Sequence, residues 1–276
     1  MGIELSKLVS AFEDRWPLEL AEEWDSPGLV TGSPSQEVSR VLLTVDVTSA
    51  TAQAAIDGKF DLLLAHHPFL LRGIKSLAEE APKGAVLASA IRHGLAIYAA
   101  HTNADVVENG VSDILAKRLG LEDLVPLVPG SSSPTGPQGS GRVGILNSPT
   151  TLGEFALAVA RALPATASGV RVAGDYGQIV SRVAVCGGAG DSFITAAIAA
   201  RADVYVTSDL RHHVVQDARE TAMMHNGAPA LIDVSHWASE WLWLEQAAQE
   251  LRKIHPEVVF EVCDLRTDPW DFVVTQ

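Results

Sequence analysis

Cysteine is scarce in this chain: Cys186 and Cys263 are the only two among 276 residues. Two thiols cannot frame a disulfide-stapled fold, so a reducing cytoplasm is the expected setting. Basic residues are also few. Twenty Lys and Arg against 34 Asp and Glu leave a net charge of −14. That balance argues against a nucleic-acid partner, whose affinity would come mainly from cations neutralising phosphates. No apolar run reaches the ~20 residues needed to span a bilayer. The N-terminus lacks a basic segment followed by an apolar core, so neither a membrane nor secretion is expected. Met1-Gly-Ile-Glu-Leu-Ser6 fits a short acylation pattern, but its acidic surroundings favour a plain helix start. An acidic protein can still take an anionic small molecule where a bound metal supplies local positive charge.

Against these absences stands a regular alternation of short apolar runs and helical periodicity. Leu5, Leu8, Val9, Phe12 and Trp16 have helical spacing, which predicts an opening helix. Strands are predicted at Arg40–Val47, Leu62–His67 and Ala96–Ala100, with helices at Ser49–Asp57 and Ala85–His93 between them. The rhythm resumes with strands at Arg142–Leu146, Ser181–Cys186, Val204–Thr207 and Ala230–Val234. Helices are predicted at Leu152–Leu163, Ser192–Ala200 and His213–His225, and a final helix (Trp241–Ile254) and strand (Val258–Cys263) close the chain. Such βαβ alternation predicts an α/β fold with mostly parallel or mixed sheets and helices on both faces.

Pro129-Gly-Ser-Ser-Ser-Pro-Thr-Gly-Pro-Gln-Gly-Ser-Gly141 is the one low-complexity segment. It reads as a flexible linker or loop over 130–141, dividing an N-terminal lobe (1–129) from a second lobe (142–276). The C-terminal segment has the option of packing back on the first lobe.

Polar clusters follow the apolar strands. Asp61-Leu-Leu-Leu-Ala-His-His-Pro-Phe69 is a buried-strand pattern stopped by a proline that cannot donate to a ladder. Its two imidazoles fall at the carboxyl edge, where open α/β sheets bind ligands. His101-Thr-Asn-Ala-Asp105 follows the next strand. Ser208 and Asp209 precede His212 and His213, and Ser235-His-Trp-Ala-Ser-Glu240 closes the set. His236 and Glu240 share one face if a helix has already begun there. Separate structural roles for each cluster are less economical than one site built from His66, His67, Asp105, His236 and Glu240. Three imidazoles and two carboxylates suit two divalent ions of the zinc, iron or manganese class. Glu240 is the expected bridge, and water bound by such ions deprotonates near neutral pH.

These motifs resemble those of the GTP cyclohydrolase I type 2 homologue family, also called the Nif-three-like dinuclear-metal proteins. The resemblance covers nearly the whole chain. It rests on Ala21-Glu-Glu-Trp-Asp-Ser-Pro-Gly-Leu29, His66-His-Pro68, His101-Thr-Asn-Ala-Asp105, Thr207-Ser-Asp209 and Asp233-Val-Ser-His-Trp-Ala-Ser-Glu240. It implies that the same five residues are the metal ligands, in a two-lobed subunit with the metals between the lobes, assembled into a homohexamer. Ser235 and Ser208 stand where the family usually has glycine, so each adds a Cβ beside a ligand loop. The chain resembles short members that lack an inserted middle domain.

His101 is read as a positioning or proton-transfer group, since a held imidazole suits general acid–base work. Asp209 is expected to support a ligand, and His213, with His212 behind it, is a weaker candidate. Gly187-Gly-Ala-Gly190 reads as a tight strand-to-helix turn, with phosphate contact as the alternative. Trp237, Trp241 and Trp243 read as packing or interface. Two function classes remain open here. One is a metal-dependent hydrolase of a small, nucleotide-like substrate; the other is a metal-binding assembly or regulatory protein without turnover.

Overall fold

The computed structural model describes residues 2–130 and 138–275. In chain order the elements are β1 (Ile3–Glu4), α1 (Leu5–Arg15), β2 (Gly28–Thr31), β3 (Glu37–Val38), β4 (Arg40–Thr44), α2 (Ser49–Asp57), β5 (Leu62–Ala65), α3 (Pro82–Arg92), β6 (Ala96–Ala99) and α4 (Thr102–Asp105). There follow α5 (Val111–Arg118), β7 (Leu121–Pro129), β8 (Gly139–Thr151), α6 (Leu152–Ala162), β9 (Arg171–Ala173), β10 (Ile179–Ala189) and α7 (Ile194–Ala199). Then come β11 (Val204–Ser208), α8 (His212–Met223), β12 (Ala230–Val234), α9 (His236–Ile254) and β13 (Val259–Val262). The chain forms two compact units. The first comprises residues 1–104 and 244–267, the second 105–243 and 268–276.

In the first unit the sheet order is β13-β4-β5-β6-β2. The first four strands are parallel, and β2 pairs antiparallel with β6. All residues of β5 and β6 are buried, as expected for central parallel strands covered on both faces. Side chains alternate across a strand, and β6 shows the consequence. Ile97 packs with Leu42, Ala55, Leu63 and Ala90, the latter from the crossover helices α2 and α3. Its neighbour Tyr98 turns the other way, onto Phe12 of α1 with ring centroids 5.0 Å apart. Local chemistry sets the helix starts. Thr48 and Thr51 form a reciprocal capping box for α2, and Pro82 opens α3 at a position where its missing N–H costs nothing.

The second unit holds a six-stranded mixed sheet, β7-β8-β10-β11-β12-β9, in which β10, β11 and β12 are parallel. Leu127, Val143, Ala184, Ile194, Ala197, Tyr205 and Leu231 are in its core. Arg142 is buried and fully engaged: Nε donates to Asp113 Oδ1 at 2.8 Å, Nη1 to the carbonyls of Gly139 and Gly141, and Nη2 to that of Val107.

The chain does not divide at 130–141. β7 and β8 pair antiparallel on either side of the Gly/Ser/Pro segment, so that segment joins two strands of one sheet, and the units part between Ala104 and Asp105. Residues 131–137 lie outside the described residues. β7 escapes a sequence reading because Pro126 and Pro129 argue against a strand. The strand is at the sheet edge, where proline is tolerated. The Gly187–Gly190 turn is also corrected, because β10 continues through Ala189 with a register shift after Val185. α9 starts at His236, five residues before the predicted Trp241, because Ser235 caps it: its Oγ accepts the Ala238 N–H at 3.2 Å. Among the described residues no helix is long and apolar enough to cross a membrane.

Candidate metal centre

In the first unit, three adjacent parallel strands end together and their carboxyl ends carry the polar residues. The His66 N–H donates to the Thr44 carbonyl and the His67 N–H to that of Val45, both at 2.9 Å. These bonds carry the sheet register one step beyond β4 and β5, up to Pro68. Asp46 follows β4, His66 and His67 follow β5, and His101 follows β6. The three imidazoles gather, with ring centroids 5.1, 5.2 and 5.5 Å apart, and one nitrogen from each falls in a group spanning no more than 4.8 Å.

Each ring is held from behind. His66 Nδ1 donates to the Ala100 carbonyl at 2.8 Å. A carbonyl only accepts, so Nδ1 carries the proton and the lone pair of the neutral ring belongs to Nε2. His67 Nδ1 meets Asp46 Oδ1 at 2.7 Å, and the Thr267 hydroxyl donates to the other oxygen of that carboxylate. His101 Nδ1 meets Asp25 Oδ1 at 2.8 Å, while Asp25 Oδ2 accepts from the Thr102 N–H and hydroxyl. Burial would raise the Asp25 carboxyl, but the bonds from His101 and Thr102 outweigh it and hold it well below the usual carboxylate range. Carboxylate or carbonyl backing of this kind orients metal-binding histidines and fixes their tautomer.

The second unit builds its cluster in the same way, at the ends of β10, β11 and β12. His236 Nδ1 meets Asp209 Oδ2 at 2.7 Å, and Nε2 is 2.9 Å from Oε1 of Glu240, one helical turn on. Burial would lower the His236 imidazole, but the charges of Glu240 and Asp209 outweigh it and push it up to about 11. A cation placed against Glu240 would displace that proton. Gly188 at φ +68° passes close to the pair, where an added Cβ would collide with Glu240 Oε1. The Gly187 and Gly188 N–H groups donate to the Ser112 and Ser239 hydroxyls, not to an open loop that could cradle a phosphate. The hydroxyls of Ser235 and Ser208 are absorbed as well: Ser235 Oγ bonds Asp268, and Ser208 Oγ lies 3.3 Å from Ser239 Oγ.

Asp105 closes α4 and is outside the three-imidazole group. His212 and His213 open α8 with rings 5.1 Å apart and join no group of three ligands among the described residues. The sequence reading passed over Asp46 and Asp25. The expected strand Arg40–Val47 runs past Asp46, whereas β4 ends at Thr44 and leaves that carboxylate beyond the strand. Asp25 has no signal beyond its place in the Glu22-Glu-Trp-Asp25 stretch.

The Duf34/NIF3 (NGG1p interacting factor 3) family model matches residues 3–269. The chain belongs to that family. Within it, a Streptomyces coelicolor protein named GTP cyclohydrolase 1 type 2 homolog is 46% identical over 270 residues, covering 96% of this chain and 93% of the relative. A Mycobacterium leprae protein of the same name is 32% identical over 376 aligned residues, covering 98% and 96%. That alignment is longer than this chain of 276 residues, so the mycobacterial member carries sequence absent here. The crystal structure of a Bacillus cereus protein related to NIF3 superposes with a TM-score of 0.89 at 25% identity, covering 99% of this chain and 100% of that one.

Proposed function

We propose that this Duf34/NIF3 protein is a hydrolase of a small nucleotide substrate, working with two divalent ions of the zinc, iron or manganese class. His66, His67, Asp105, His236 and Glu240 hold the ions. The observation that supports this most is the same backing at each of four rings: His66, His67, His101 and His236 each commit Nδ1 to an oxygen acceptor. Packing histidines do not need that repeated arrangement, whereas neutral imidazoles presenting Nε2 do. The donor set of imidazole and carboxylate fits borderline divalent metals and offers no thiolate. Burial, with the Asp105 charge adding to it, pushes the Cys186 thiol up to about 12, so it stays protonated at neutral pH.

Bound ions supply Lewis acidity and an activated water. The chain's own residues supply the rest. His101 is held through Nδ1 by Asp25, which orients the ring so that Nε2 can take up a proton and return it to a leaving group. Glu240 is 3% exposed and keeps its carboxylate away from water. The names of the relatives support a nucleotide substrate.

Metal analysis of the purified protein, followed by turnover assays with GTP and generic phosphoesters, tests the proposal. About two ions per chain are expected, and Glu240→Gln should abolish turnover with the fold intact. Undiminished activity in a demonstrably metal-free sample overturns the mechanism. Full metal occupancy without turnover on any of these substrates selects the binding or regulatory reading instead.

A further inference from the structure

We propose that Trp24 is the platform on which the purine ring of the substrate stacks, so that it selects for planar heterocycles beside the histidine cluster. The proposal rests on the nucleotide-hydrolase reading and adds the residue that recognises the base.

Trp24 is 61% exposed. A lone exposed apolar side chain needs no explanation by itself; the position of this one does. Its ring lies edge-to-face with the His101 imidazole, centroids 5.9 Å apart at 80°. His101 is in turn 5.2 Å from His66 and 5.5 Å from His67. The indole is thus one ring removed from the imidazole group, and a planar ring stacked on it comes within reach of the same atoms.

The loop that carries the indole is held in place. The Asp25 N–H closes a turn onto the Glu22 carbonyl at 2.9 Å, with Trp24 at its third position. The Glu22 N–H donates to the Thr102 hydroxyl at 3.0 Å, and Asp25 bonds His101 and Thr102. One carboxylate therefore orients His101 and ties the loop that carries Trp24 to the Thr102 backbone, and the edge contact of the indole with the imidazole adds to that placement. A pre-positioned aromatic loses little freedom on stacking, which is how exposed aromatics bind bases without reading their sequence. Of the three tryptophans of α9, Trp237 and Trp243 are buried, at 7% and 1% exposure, and Trp241 is half-buried with its ring 6.1 Å from that of Trp237.

The test is equilibrium binding to the zinc-loaded protein, with GTP, guanosine and inorganic tripolyphosphate as probes. Trp24→Ala should weaken GTP and guanosine by roughly 5- to 150-fold, the range of a lost base–aromatic stack. Tripolyphosphate affinity and zinc content should stay unchanged. Trp24→Phe should recover most of the loss, and Ile91→Ala, a 61% exposed apolar residue at the end of α3 in the same unit, should have no effect. The proposal is overturned by unchanged guanosine binding in Trp24→Ala, by equal loss of tripolyphosphate, by a parent protein that binds neither GTP nor guanosine, or by a changed sedimentation coefficient with binding intact. Absence of turnover with Trp24-dependent binding retained would sink the hydrolase reading alone.

Discussion

Asp209 and His236, 27 residues apart, meet at 2.7 Å between Oδ2 and Nδ1, and the opposite nitrogen of the same ring faces Glu240 at 2.9 Å. Asp209 adopts φ +58°, a left-handed backbone tolerated best by Gly, Asn and Asp. The strand-to-helix connection after β11 therefore aims a carboxylate back at the residue that follows β12. Asp209→Asn keeps the backbone and removes the charge. Zinc affinity should fall by about 10-fold with little change in the unfolding midpoint, because the Asp209 side chain is 58% exposed. Competition against a fluorescent zinc chelator measures it, and an unchanged constant would show that the pair does not tune a ligand.

Gly188 offers a steric test. Its φ of +68° and the proximity of Glu240 Oε1 leave no room for a methyl group. Gly188→Ala should push the carboxylate out of line with His236 and cost about 1–2 kcal/mol of backbone strain. Metal stoichiometry should drop while far-UV circular dichroism stays native. Full metal loading in this variant would place Glu240 outside the ligand set.

The pH dependence of stability should report Asp113. Burial raises its carboxyl, but the bonds from Lys117 and Arg142 outweigh burial and leave it lowered. A carboxyl depressed in the folded state contributes stability above its unfolded pKa of roughly 3.9 and loses it as pH falls through the folded value. The parent's urea midpoint should therefore fall steeply below about pH 4, and Asp113→Asn should flatten that decline while lowering the plateau. Parallel curves for the two proteins would contradict the assignment.

Leu63 is fully buried in the middle of β5 and packs with Leu42, Ala55 and Ile97. Leu63→Ala should destabilise the first unit by about 2–5 kcal/mol, read as a shift in the urea midpoint. His66 and His67 continue the same strand, so zinc affinity should weaken as well. A shift in midpoint without any change in affinity would mean that the histidine loop is held independently of the strand beneath it.

The polar residues after strands were legible one motif at a time. Leu62–Ala65 followed by His66, His67 and Pro68 dictates a buried strand with two imidazoles at its end, because the proline stops the ladder and the apolar run needs cover on both faces. The i,i+4 relation of His236 and Glu240 needed only that a helix had begun, and Ser235 supplies the cap that starts it. β7 was not legible, because its prolines are acceptable only at an edge and edge position belongs to the sheet as a whole.

By itself the sequence determined residue types and local conformation: apolar runs that must be buried, capped helix starts, and histidines placed where strands stop. Only the tertiary structure decided which oxygen stands behind each ring. Asp46 reaches His67, Asp25 reaches His101 across 76 residues, and Asp209 reaches His236. Those pairings depend on strand order and register, which arise from hydrogen bonds between segments far apart in the chain, and no local pattern encodes them.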